Sequence, residues 1–453
     1  MLKKIYSKSP VFIQNIFISI ENIFVLYKKY NYIPFFNSMD KIVKNISKTN
    51  INYEENELIN NLNKFFLYSI KNTNYYNKNI EKNFKLLQLE DINKLDVLKK
   101  TTLKGYTEDF YSSQLNKSNS RTLFTSGSTG SPLEIKVSVK DLQLRFNILL
   151  KTMLDFGYDY TQAIGRITGH DIADENNIYR KDFINNQYFL SAFHISDKTI
   201  HKYYDAIIQN NIKALDGYPS AIYTIAKLFE QHNLKVNNIQ SIYTTAEKLH
   251  RYQKKQIEQT FNCKVFDYYG SNEQSVFIYT CKNDNLHVSN KTGLIEVLDK
   301  NYRTVQPGEV GKMIVTSLTS HFMPLIRYDI GDSCIVSKDQ TCNCGNQGLV
   351  IDEIIGRDED IFQTIEGNYI TRFSVVLKYL PKSIIESQLV LSNKKMSASI
   401  LYTSKNEIHE SEFKQYQDSL ISKIGEKYQL KNIKVDKIEK SSRGKTRAVI
   451  IEN

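Results

Sequence analysis

The sequence predicts an α/β fold with a large N-terminal domain and a small C-terminal domain. From about residue 100, short strand-like segments alternate with helical ones, as in KALDGY at 213–218 and SIYTTA at 241–246. Strands separated by helices are typical of parallel sheets covered by those helices. Between residues 293 and 337 the strands are shorter and are separated by turns, which indicates a β-rich subdomain.

The C-terminal segment changes in character after IIGRDEDIF at 354–362. It contains strand-like alternation in SASILYTS, one long helical segment at about 408–428, and more Lys and Arg than Asp and Glu. A segment of this length with its own apolar pattern can fold as an α+β unit. We therefore predict a core at 101–356, a hinge at 357–360 and a small domain at 361–453.

Residues 1–100 are predicted to form a helical extension packed on the large domain. ELINNLNKFFLYSI at 57–70 keeps the apolar spacing of a helix. Residues 10–27 follow several lysines, but polar residues interrupt the apolar run too often for a signal peptide. This segment is predicted to be an amphipathic helix, and its apolar residues at helical spacing are Ile13, Phe17, Ile20 and Phe24. We expect that face to pack on its own domain, with weak contact to a membrane surface as the alternative.

The composition is that of a globular protein with room for two or three domains. The 453 residues are 41% hydrophobic, with a mean hydropathy of -0.42. The net charge of +11 would suit an anionic partner, but the lysines are scattered and rarely alternate with aromatic residues. Nucleic acid is therefore not expected as a partner. Five cysteines in so long a chain suit a reducing compartment, and no segment is expected to span a membrane, so we expect a cytoplasmic location.

The stretch TLFTSGSTGSP at 122–132 has the chemistry of a phosphate-binding loop. Glycines allow backbone N–H groups to approach an anion, and hydroxyl groups add further donors without a fixed charge. An ordinary surface loop is the alternative for a Ser- and Gly-rich run considered alone. The residues expected to contact phosphate are Thr125, Ser126, Gly127, Ser128, Thr129 and Gly130.

This loop resembles that of the adenylate-forming enzymes, the superfamily of acyl-CoA synthetases, luciferases and adenylation domains of peptide synthetases. Four further landmarks of that superfamily follow in its usual order. They are YGSNE at 269–273, YDIGD at 328–332, GRDED at 356–360, and Gly444-Lys445 with Arg447. A single match of this kind is weak evidence for the superfamily, whereas five matches in the same order over most of the chain are specific to it.

Within the superfamily the chain is most similar to the phenylacetate–CoA ligase branch, especially its CapK-like members named for capsule polysaccharide biosynthesis. PVFIQN near the start, DGYPSAIYTIA at 216–226 and MPLIRYDIGD at 323–332 carry this similarity. The phosphate loop departs from the wider pattern, because Ser131 stands where many relatives carry Lys and Leu133 follows Pro132. Phosphate binding would then depend more on the backbone and the hydroxyl groups.

The resemblance implies a role for each residue at the nucleotide site. Glu273 is similar to the glutamate that binds Mg²⁺, a hard cation that prefers carboxylate oxygens. A solvated carboxylate at a strand end is the alternative. Asp332 would accept hydrogen bonds from the ribose hydroxyls, and Tyr269 would stack on adenine unless it is only a core residue. Gly270 and Ser271 would also line the ATP site.

The resemblance also implies two conformations of the C-terminal domain, which acts in the family as a mobile lid. Lys445 would contact the acyl carboxylate and the α-phosphate, where a cation stabilises charge that develops in the transition state. Glu359 occupies the hinge position. Arg357 would approach the ribose, with a surface ion pair to Asp358 or Asp360 as the alternative.

The function implied by these roles is ATP-dependent activation of a carboxylic acid through an acyl adenylate, as in an AMP-forming acyl-CoA synthetase. Coenzyme A is the expected acceptor, and transfer to an amino sugar or a protein thiol in surface polysaccharide biosynthesis is a second possibility. A catalytically degenerate scaffold protein is a third. The acyl pocket is expected to include Phe193, His194, Tyr218, Thr244 and Ala246. For His194 a structural role, as a buried histidine bonded to the backbone, is the favoured alternative. The identity of the acid and the oligomeric state are left open.

The cysteines form two short motifs. Cys281 and His287 are spaced C-x5-H, and Cys342 and Cys344 form a C-x-C-G turn. These could be unrelated residues in a reducing compartment or the four ligands of a structural Zn²⁺ site.

Overall fold

The computed structural model describes most of the chain. The described residues are 6, 9–30, 43–44, 46, 51–124, 133–168, 175–357, 362–365, 369–370, 373–377, 379–381, 383–440 and 446–452. The chain divides into two compact units. One contains Met1–Ser19, Asp159–Asp267 and Ile355–Asn453, and the other contains Ile20–Tyr158 and Tyr268–Ile354. The domain boundaries expected from the sequence stay a prediction.

The described elements alternate between helices and strands over much of the chain. The helices are α1 (Val11–Tyr30), α2 (Glu55–Asn72), α3 (Asn74–Asn79), α4 (Lys100–Gly105), α5 (Val139–Asp155), α6 (Ile200–Gln209), α7 (Pro219–Gln231), α8 (Arg251–Phe261), α9 (Ser374–Leu377) and α10 (Lys414–Ile424). The strands before residue 290 are β1 (Ser120–Phe124), β2 (Glu134–Ser138), β3 (Ile164–Thr168), β4 (Tyr179–Asp182), β5 (Gln187–Ser191), β6 (Ala214–Gly217), β7 (Ser241–Thr244), β8 (Val265–Gly270), β9 (Phe277–Thr280) and β10 (Leu286–Val288). The later strands are β11 (Gly293–Leu298), β12 (Val310–Ser317), β13 (Tyr328–Val336), β14 (Val350–Arg357), β15 (Phe362–Gln363), β16 (Tyr369–Ile370), β17 (Ile384–Ser392), β18 (Ser397–Ser404), β19 (Gln429–Lys434) and β20 (Val449–Glu452).

The first unit contains a parallel sheet, as the sequence predicts. Strands β5, β3, β6, β7 and the first half of β8 are neighbours in that order and run parallel, and β4 pairs antiparallel with β5 at the edge. Every residue of β6 and β7 is buried, which is typical of parallel strands. Helices α6, α7 and α8 share a core with these strands, formed among others by Ile207, Ile225, Ile257, Leu215 and Ile242. The α/β class is confirmed.

The C-terminal part of the same unit is a four-stranded mixed sheet with helix α10. The strand order is β19-β18-β17-β20, and only the β17–β18 pair is antiparallel. Phe413, Tyr416 and Leu420 pack on Leu389 and Ile400 of the sheet. The helix is shorter than the predicted 408–428, because Gly425 takes a left-handed φ of 92° and ends it.

The second unit is largely antiparallel. The second half of β8 pairs with β9, and the order continues through β10, β14, β13 and β12 to β11. Helix α2 buries Leu62, Phe65 and Phe66 in the core of this unit. Strands β1 and β2 form a separate antiparallel pair. The β-rich segment predicted at 293–337 corresponds to β11, β12 and β13.

Helix α1 forms where the sequence predicts it, but the expected orientation of its apolar face is wrong. The four apolar residues Ile13, Phe17, Ile20 and Phe24 are all exposed. The buried residues of the helix are Gln14, Ile18 and Ser19. Three polar side chains of the helix bond to strand β4 and its following turn, and so the polar face is the one that packs on the protein. In the described part of the chain, no helix has the length and apolar character needed to cross a membrane.

Candidate active site

The parallel strands of the first unit end at one edge, where α/β proteins usually bind their ligands. Four of the five residues predicted for the acyl pocket end or closely follow these strands. Tyr218 directly follows β6, and Thr244 ends β7 beside Gly217 in the parallel register. Both side chains are buried, whereas Phe193 and His194, after β5, are half-buried. His194 Nδ1 lies 2.8 Å from Ser191 Oγ.

Ala246 is the fifth predicted pocket residue. It is exposed and has a φ of 71°. A non-glycine residue in the left-handed region costs of the order of 1 kcal/mol, and such residues cluster at functional sites. The turn after β7 is therefore held in a costly conformation at the edge where the pocket is expected.

Two carboxylates at this edge belong to no motif: Asp216 is buried and Asp267 is half-buried. Arg166 Nη1 lies 2.9 Å from Asp216 Oδ2 on the neighbouring strand, and Thr244 Oγ1 donates to Asp267 Oδ1 over 2.6 Å. Burial raises the pKa of Asp216, and it raises the pKa of Asp267 to about 6. The signal in the sequence is an acid inside an otherwise apolar strand, as in KALDGY and KVFDYY.

Glu247 is a further residue that no motif indicated. Its Oε2 accepts a hydrogen bond from the backbone N–H of Ser220 over 3.1 Å, at the first turn of α7. Its Oε1 accepts from the backbone N–H of Thr446 over 2.7 Å. One carboxylate thus joins the strand-end loop to the residue that follows Lys445. Lys445 itself lies outside the described residues.

The C-terminal segment has a second contact with the same edge. Lys440 Nζ donates to the carbonyl oxygen of Ala192 over 2.7 Å and lies 3.6 Å from a carboxylate oxygen of Glu386. Ala192 directly precedes the predicted pocket residue Phe193. Residues on both sides of 441–445 are therefore fixed against the loops that follow β5 and β7.

Two residues predicted to bind the nucleotide, Tyr269 and Asp332, are in contact in the second unit. The phenol of Tyr269, on β8, donates to Asp332 Oδ2, on β13, over 2.5 Å. Burial and the nearby Asp332 carboxylate raise the pKa of Tyr269 well above its usual value. Tyr269 is thus protonated at neutral pH and acts as a hydrogen-bond donor to Asp332. Whether it stacks on adenine stays a prediction, as do the contacts expected of Gly270 and Ser271.

Glu273 is buried, with only 6% of its surface exposed. It is therefore not the solvated strand-end carboxylate that was the alternative. Burial raises its pKa, and a hydrogen bond from its own backbone N–H and the Lys100 ammonium oppose that shift. A buried carboxylate with a perturbed pKa next to a second carboxylate is an arrangement typical of functional sites, because burial costs free energy unless a ligand or cation compensates it.

The turn that carries Glu273 is fixed by two side chains. Arg145 donates from Nη1 to the carbonyl oxygen of Gln274 over 2.9 Å and from Nη2 to that of Val276 over 2.8 Å. Asn272 Nδ2 donates to the carbonyl oxygen of Phe124 over 2.8 Å. Phe124 is the last described residue before the predicted phosphate loop, and so the start of that loop is tied to the glutamate turn.

Several predicted residues cannot be located. The phosphate-loop residues Thr125, Ser126, Gly127, Ser128, Thr129 and Gly130 lie outside the described residues, and so does Glu359. The backbone of Arg357 ends β14, but nothing is described of its side chain. Their roles stay predictions.

The two cysteine motifs meet in the second unit. The ligand atoms of Cys281, His287, Cys342 and Cys344 all lie within 4.8 Å of one another. The Sγ atoms of Cys281 and Cys342 are 3.7 Å apart, and Cys344 Sγ is 3.5 Å from His287 Nε2. Around a tetrahedral zinc ion with Zn–S near 2.3 Å and Zn–N near 2.0–2.1 Å, the corresponding separations are about 3.8 and about 3.6 Å.

Neighbouring groups orient these potential ligands. His287 Nδ1 lies 3.1 Å from the carbonyl oxygen of Gly348, which assigns the proton to Nδ1 and leaves the Nε2 lone pair directed at the cluster. Burial opposes ionisation of Cys342, but hydrogen bonds led by the one from Asn285 lower its pKa to about 6. Asn346 donates to Cys344 Sγ from its backbone and its side chain. This donor set fits a Cys3His metal site.

Comparison with known proteins finds CapK and two CoA ligases among the similar proteins. No protein-family model matches the chain. Protein CapK of Staphylococcus aureus is 26% identical over 401 residues, which cover 86% of each chain. The phenylacetate-coenzyme A ligase of Thermus thermophilus is 23% identical over 321 residues, or 67% of this chain and 69% of that one. The solved structure of 2-hydroxyisobutyryl-CoA ligase in complex with 2-HIB-AMP has a TM-score of 0.69 at 18% identity, over 88% of this chain and 89% of that one.

The predicted resemblance to the adenylate-forming superfamily, the class of AMP-forming adenylating enzymes, is confirmed by these relatives. Within that superfamily the chain is similar in sequence to a phenylacetate-coenzyme A ligase and to CapK.

Proposed function

We propose that this protein uses ATP to activate a carboxylic acid and then transfers the acyl group to coenzyme A. In the first step a carboxylate oxygen attacks the α-phosphorus of ATP, the bond to the bridging oxygen breaks, and pyrophosphate leaves. In the second step the sulfur of coenzyme A attacks the acyl carbonyl carbon and AMP leaves. The observation that carries the proposal is the contact of Tyr269 on β8 with Asp332 on β13, together with the buried Glu273 in the turn after β8.

Glu273 is proposed to hold Mg²⁺. A buried carboxylate whose pKa is raised by burial is stabilised in its charged form by a divalent cation, and oxygen donors suit this ion. The bound ion would neutralise charge on the ATP phosphates. The hydroxyl groups and backbone N–H groups of residues 125–130 are proposed to bind those phosphates.

Asp332 is proposed to bind the ribose. The Tyr269 phenol occupies one of its oxygens and fixes the carboxylate orientation. A fixed carboxylate loses less conformational freedom when a ligand binds, which favours affinity. Arg357 is proposed to approach the same sugar from the end of β14.

Lys445 is proposed to stabilise the developing negative charge of the adenylation step. The acyl carboxylate and the α-phosphate are both anionic, so a cation between them lowers the barrier. Glu247 supports this role because it accepts a hydrogen bond from the neighbouring Thr446 backbone. We propose that this contact belongs to the adenylating orientation of the lid. Rotation about Glu359 would break it before thioester formation.

The acid is proposed to lie at the ends of the parallel strands. Tyr218 and Thr244 would form the buried wall of its pocket, and Phe193, His194 and Ala246 the more open part. The relatives differ in substrate, since one is a phenylacetate ligase and one structural neighbour is a 2-hydroxyisobutyryl ligase. The acid is therefore defined here only as a small carboxylic acid.

The cluster of Cys281, His287, Cys342 and Cys344 is proposed to hold a structural Zn²⁺ ion. Four ligands close a tetrahedral site, and a closed site leaves no open position for a substrate. The separations of the ligand atoms support this reading. The ion would fix the β9–β10 hairpin to the turn that follows β13.

The similarity to CapK supports a second candidate acceptor. That protein's name suggests capsule polysaccharide, so the adenylate could be transferred to an amino sugar instead of coenzyme A. A scaffold without catalysis is a third candidate, and the buried Glu273 argues against it.

These candidate functions differ in the acceptor that is required for AMP release. The purified protein is incubated with ATP, Mg²⁺ and a panel of aryl, short-chain, hydroxy and amino acids, with and without coenzyme A. AMP release that requires both one acid and coenzyme A supports the proposal. AMP release that requires an amino sugar instead supports the second candidate, and nucleotide binding with no turnover for any acid supports the scaffold.

A further inference from the structure

Helix α1 covers the edge of the parallel sheet with its polar face. Asn15 Oδ1 accepts from the backbone N–H of Lys181 over 3.0 Å, and Ser19 Oγ accepts from the backbone N–H of Phe183 over 3.0 Å. Among the described strands β4 is the edge strand of this sheet, so these side chains accept hydrogen bonds from backbone donors of β4 and of the turn that follows it.

A buried pair strengthens this attachment. Gln14 Oε1 accepts from Nε of Arg180 over 2.5 Å, and both residues are at least 95% buried. The polar side of α1 is therefore fixed to β4 and the turn that follows it by three hydrogen bonds. The opposite side of the helix must then face away from the sheet.

The outward side of α1 is a continuous apolar face. Its members lie within an arc of about 140° at 100° per residue. This apolar face of α1 consists of Phe12, Ile13, Ile16, Phe17, Ile20, Phe24 and Tyr27, all exposed. Phe12 and Phe24 are each 65% exposed. An exposed patch of this kind is uncommon on a monomer and marks an interaction surface.

The sequence on both sides of the apolar residues is basic. Lys3, Lys4 and Lys8 precede the helix, and Lys28 and Lys29 lie in its last turn. Glu21 is the single acidic residue among the first 39. A second copy of the chain placed on this face would bring two sets of lysines together, which costs electrostatic free energy. Anionic lipid headgroups instead attract them, by about 1 kcal/mol per residue near the surface.

We propose that helix α1 binds an anionic membrane surface. The helix lies in the plane of the interface, its phenylalanines enter the boundary between headgroups and acyl chains, and its flanking lysines contact lipid phosphates. The helix does not span the membrane. This inference is independent of the proposed activity, because it rests on no residue of the candidate active site.

The test is cosedimentation of the full-length protein with vesicles. One set contains phosphatidylglycerol and phosphatidylcholine in equal amounts, and the other contains phosphatidylcholine alone. We expect wild type to bind the anionic vesicles, with binding that weakens as salt is added. The double substitution Phe17→Ser and Phe24→Ser should lower the partition coefficient about tenfold or more.

A matched control tests whether any exposed apolar pair has this effect. Leu67 and Leu87 are 46% and 81% exposed and lie outside α1. The double substitution Leu67→Ser and Leu87→Ser should leave vesicle binding unchanged. Both variants alter exposed side chains only, so their melting temperatures should match that of wild type.

Two results would overturn the proposal. In the first, wild type and the Phe17/Phe24 variant bind anionic vesicles equally, including no binding by either. In the second, sedimentation equilibrium shows a wild-type dimer that the Phe17/Phe24 variant loses, while wild type does not bind vesicles. That second result would assign the apolar face to a second copy of the chain.

Discussion

Two polar clusters of the second unit differ in whether their charges and hydrogen-bonding groups are compensated within the cluster. The nucleotide cluster contains Tyr269, Glu273 and Asp332, in which two carboxylates lie close and burial raises the pKa of Glu273. The cysteine cluster contains four soft ligands, with surrounding amides that donate to its sulfurs. The first has a surplus of negative charge that a ligand can compensate, and the second forms a closed set. We infer that the first serves chemistry and the second serves stability.

The largest expected effect comes from Glu273→Gln. This substitution keeps the size of the side chain and removes the charge proposed to hold Mg²⁺, so ATP–pyrophosphate exchange should fall about 100-fold or more. The melting temperature should be unchanged or higher, since a buried charge is removed. Activity and thermal melting are measured on the same preparation. A lower melting temperature with full exchange activity would reverse the assignment of the two clusters.

Cys344→Ser should lower the stability of the protein and leave its exchange activity nearly unchanged, the reverse of what is expected for Glu273→Gln. Loss of one zinc ligand should lower the zinc content measured by mass spectrometry and lower the free energy of unfolding by about 2–4 kcal/mol. Exchange activity per folded molecule should stay within about twofold. Cys263→Ser is the matched control, because Cys263 is half-buried and lies outside the cluster. Zinc-free wild type with unchanged stability would contradict the structural role.

Asp267→Asn tests whether the charge of an acid in the first unit lowers the free energy of unfolding, as is expected for Glu273 in the second unit. The pKa of Asp267 is raised by burial from 3.8 to about 6, so the folded state binds more protons than the unfolded state between those values. The unfolding free energy of wild type should therefore fall as pH rises from about 4 to about 6. The asparagine variant should lack this fall and be more stable by about 1–3 kcal/mol at neutral pH.

Denaturant unfolding as a function of pH measures this difference. Below about pH 3 Asp267 is protonated in both states, so its charge no longer contributes to a difference in stability between the two proteins there. Equal slopes for both proteins across the whole range would show that Asp267 does not titrate between these limits.

Glu247→Ala should have the smallest effect on catalysis, because Glu247 acts through the backbone next to Lys445. We expect adenylation to slow about tenfold, while thioester formation from a supplied acyl adenylate is unchanged. Glu230→Ala is the control, since Glu230 has an exposed side chain on α7. A purely structural role for Glu247 would slow both half-reactions equally or neither.

The sequence predicts these regions unevenly. The resemblance assigned Tyr269 and Asp332 to one site because each belongs to a recognisable motif, YGSNE and YDIGD. The cysteine spacing left the metal site open, because C-x-C and C-x5-H become one cluster only when β10 and β14 pair. Asp267 and Glu247 carry no motif. Their contacts depend on which strands are neighbours.

Helices α1 and α2 show the limit of periodicity. Both have an apolar face at helical spacing, and α2 buries that face as expected. Helix α1 buries the other face, because Asn15 and Ser19 bond to the edge of β4. Periodicity predicts a face but not the neighbour that it meets.

The most direct test of the central claim is carboxylate-dependent ATP–pyrophosphate exchange by wild type and Lys445→Ala, across the panel of acids. Lys437→Ala is the matched control, since Lys437 is also in the basic C-terminal segment and is 77% exposed. We expect one class of acid to support exchange in wild type and the control, and the Lys445 variant to lose it about 100-fold or more. Exchange that survives Lys445→Ala would contradict the proposed role of the lid in adenylation.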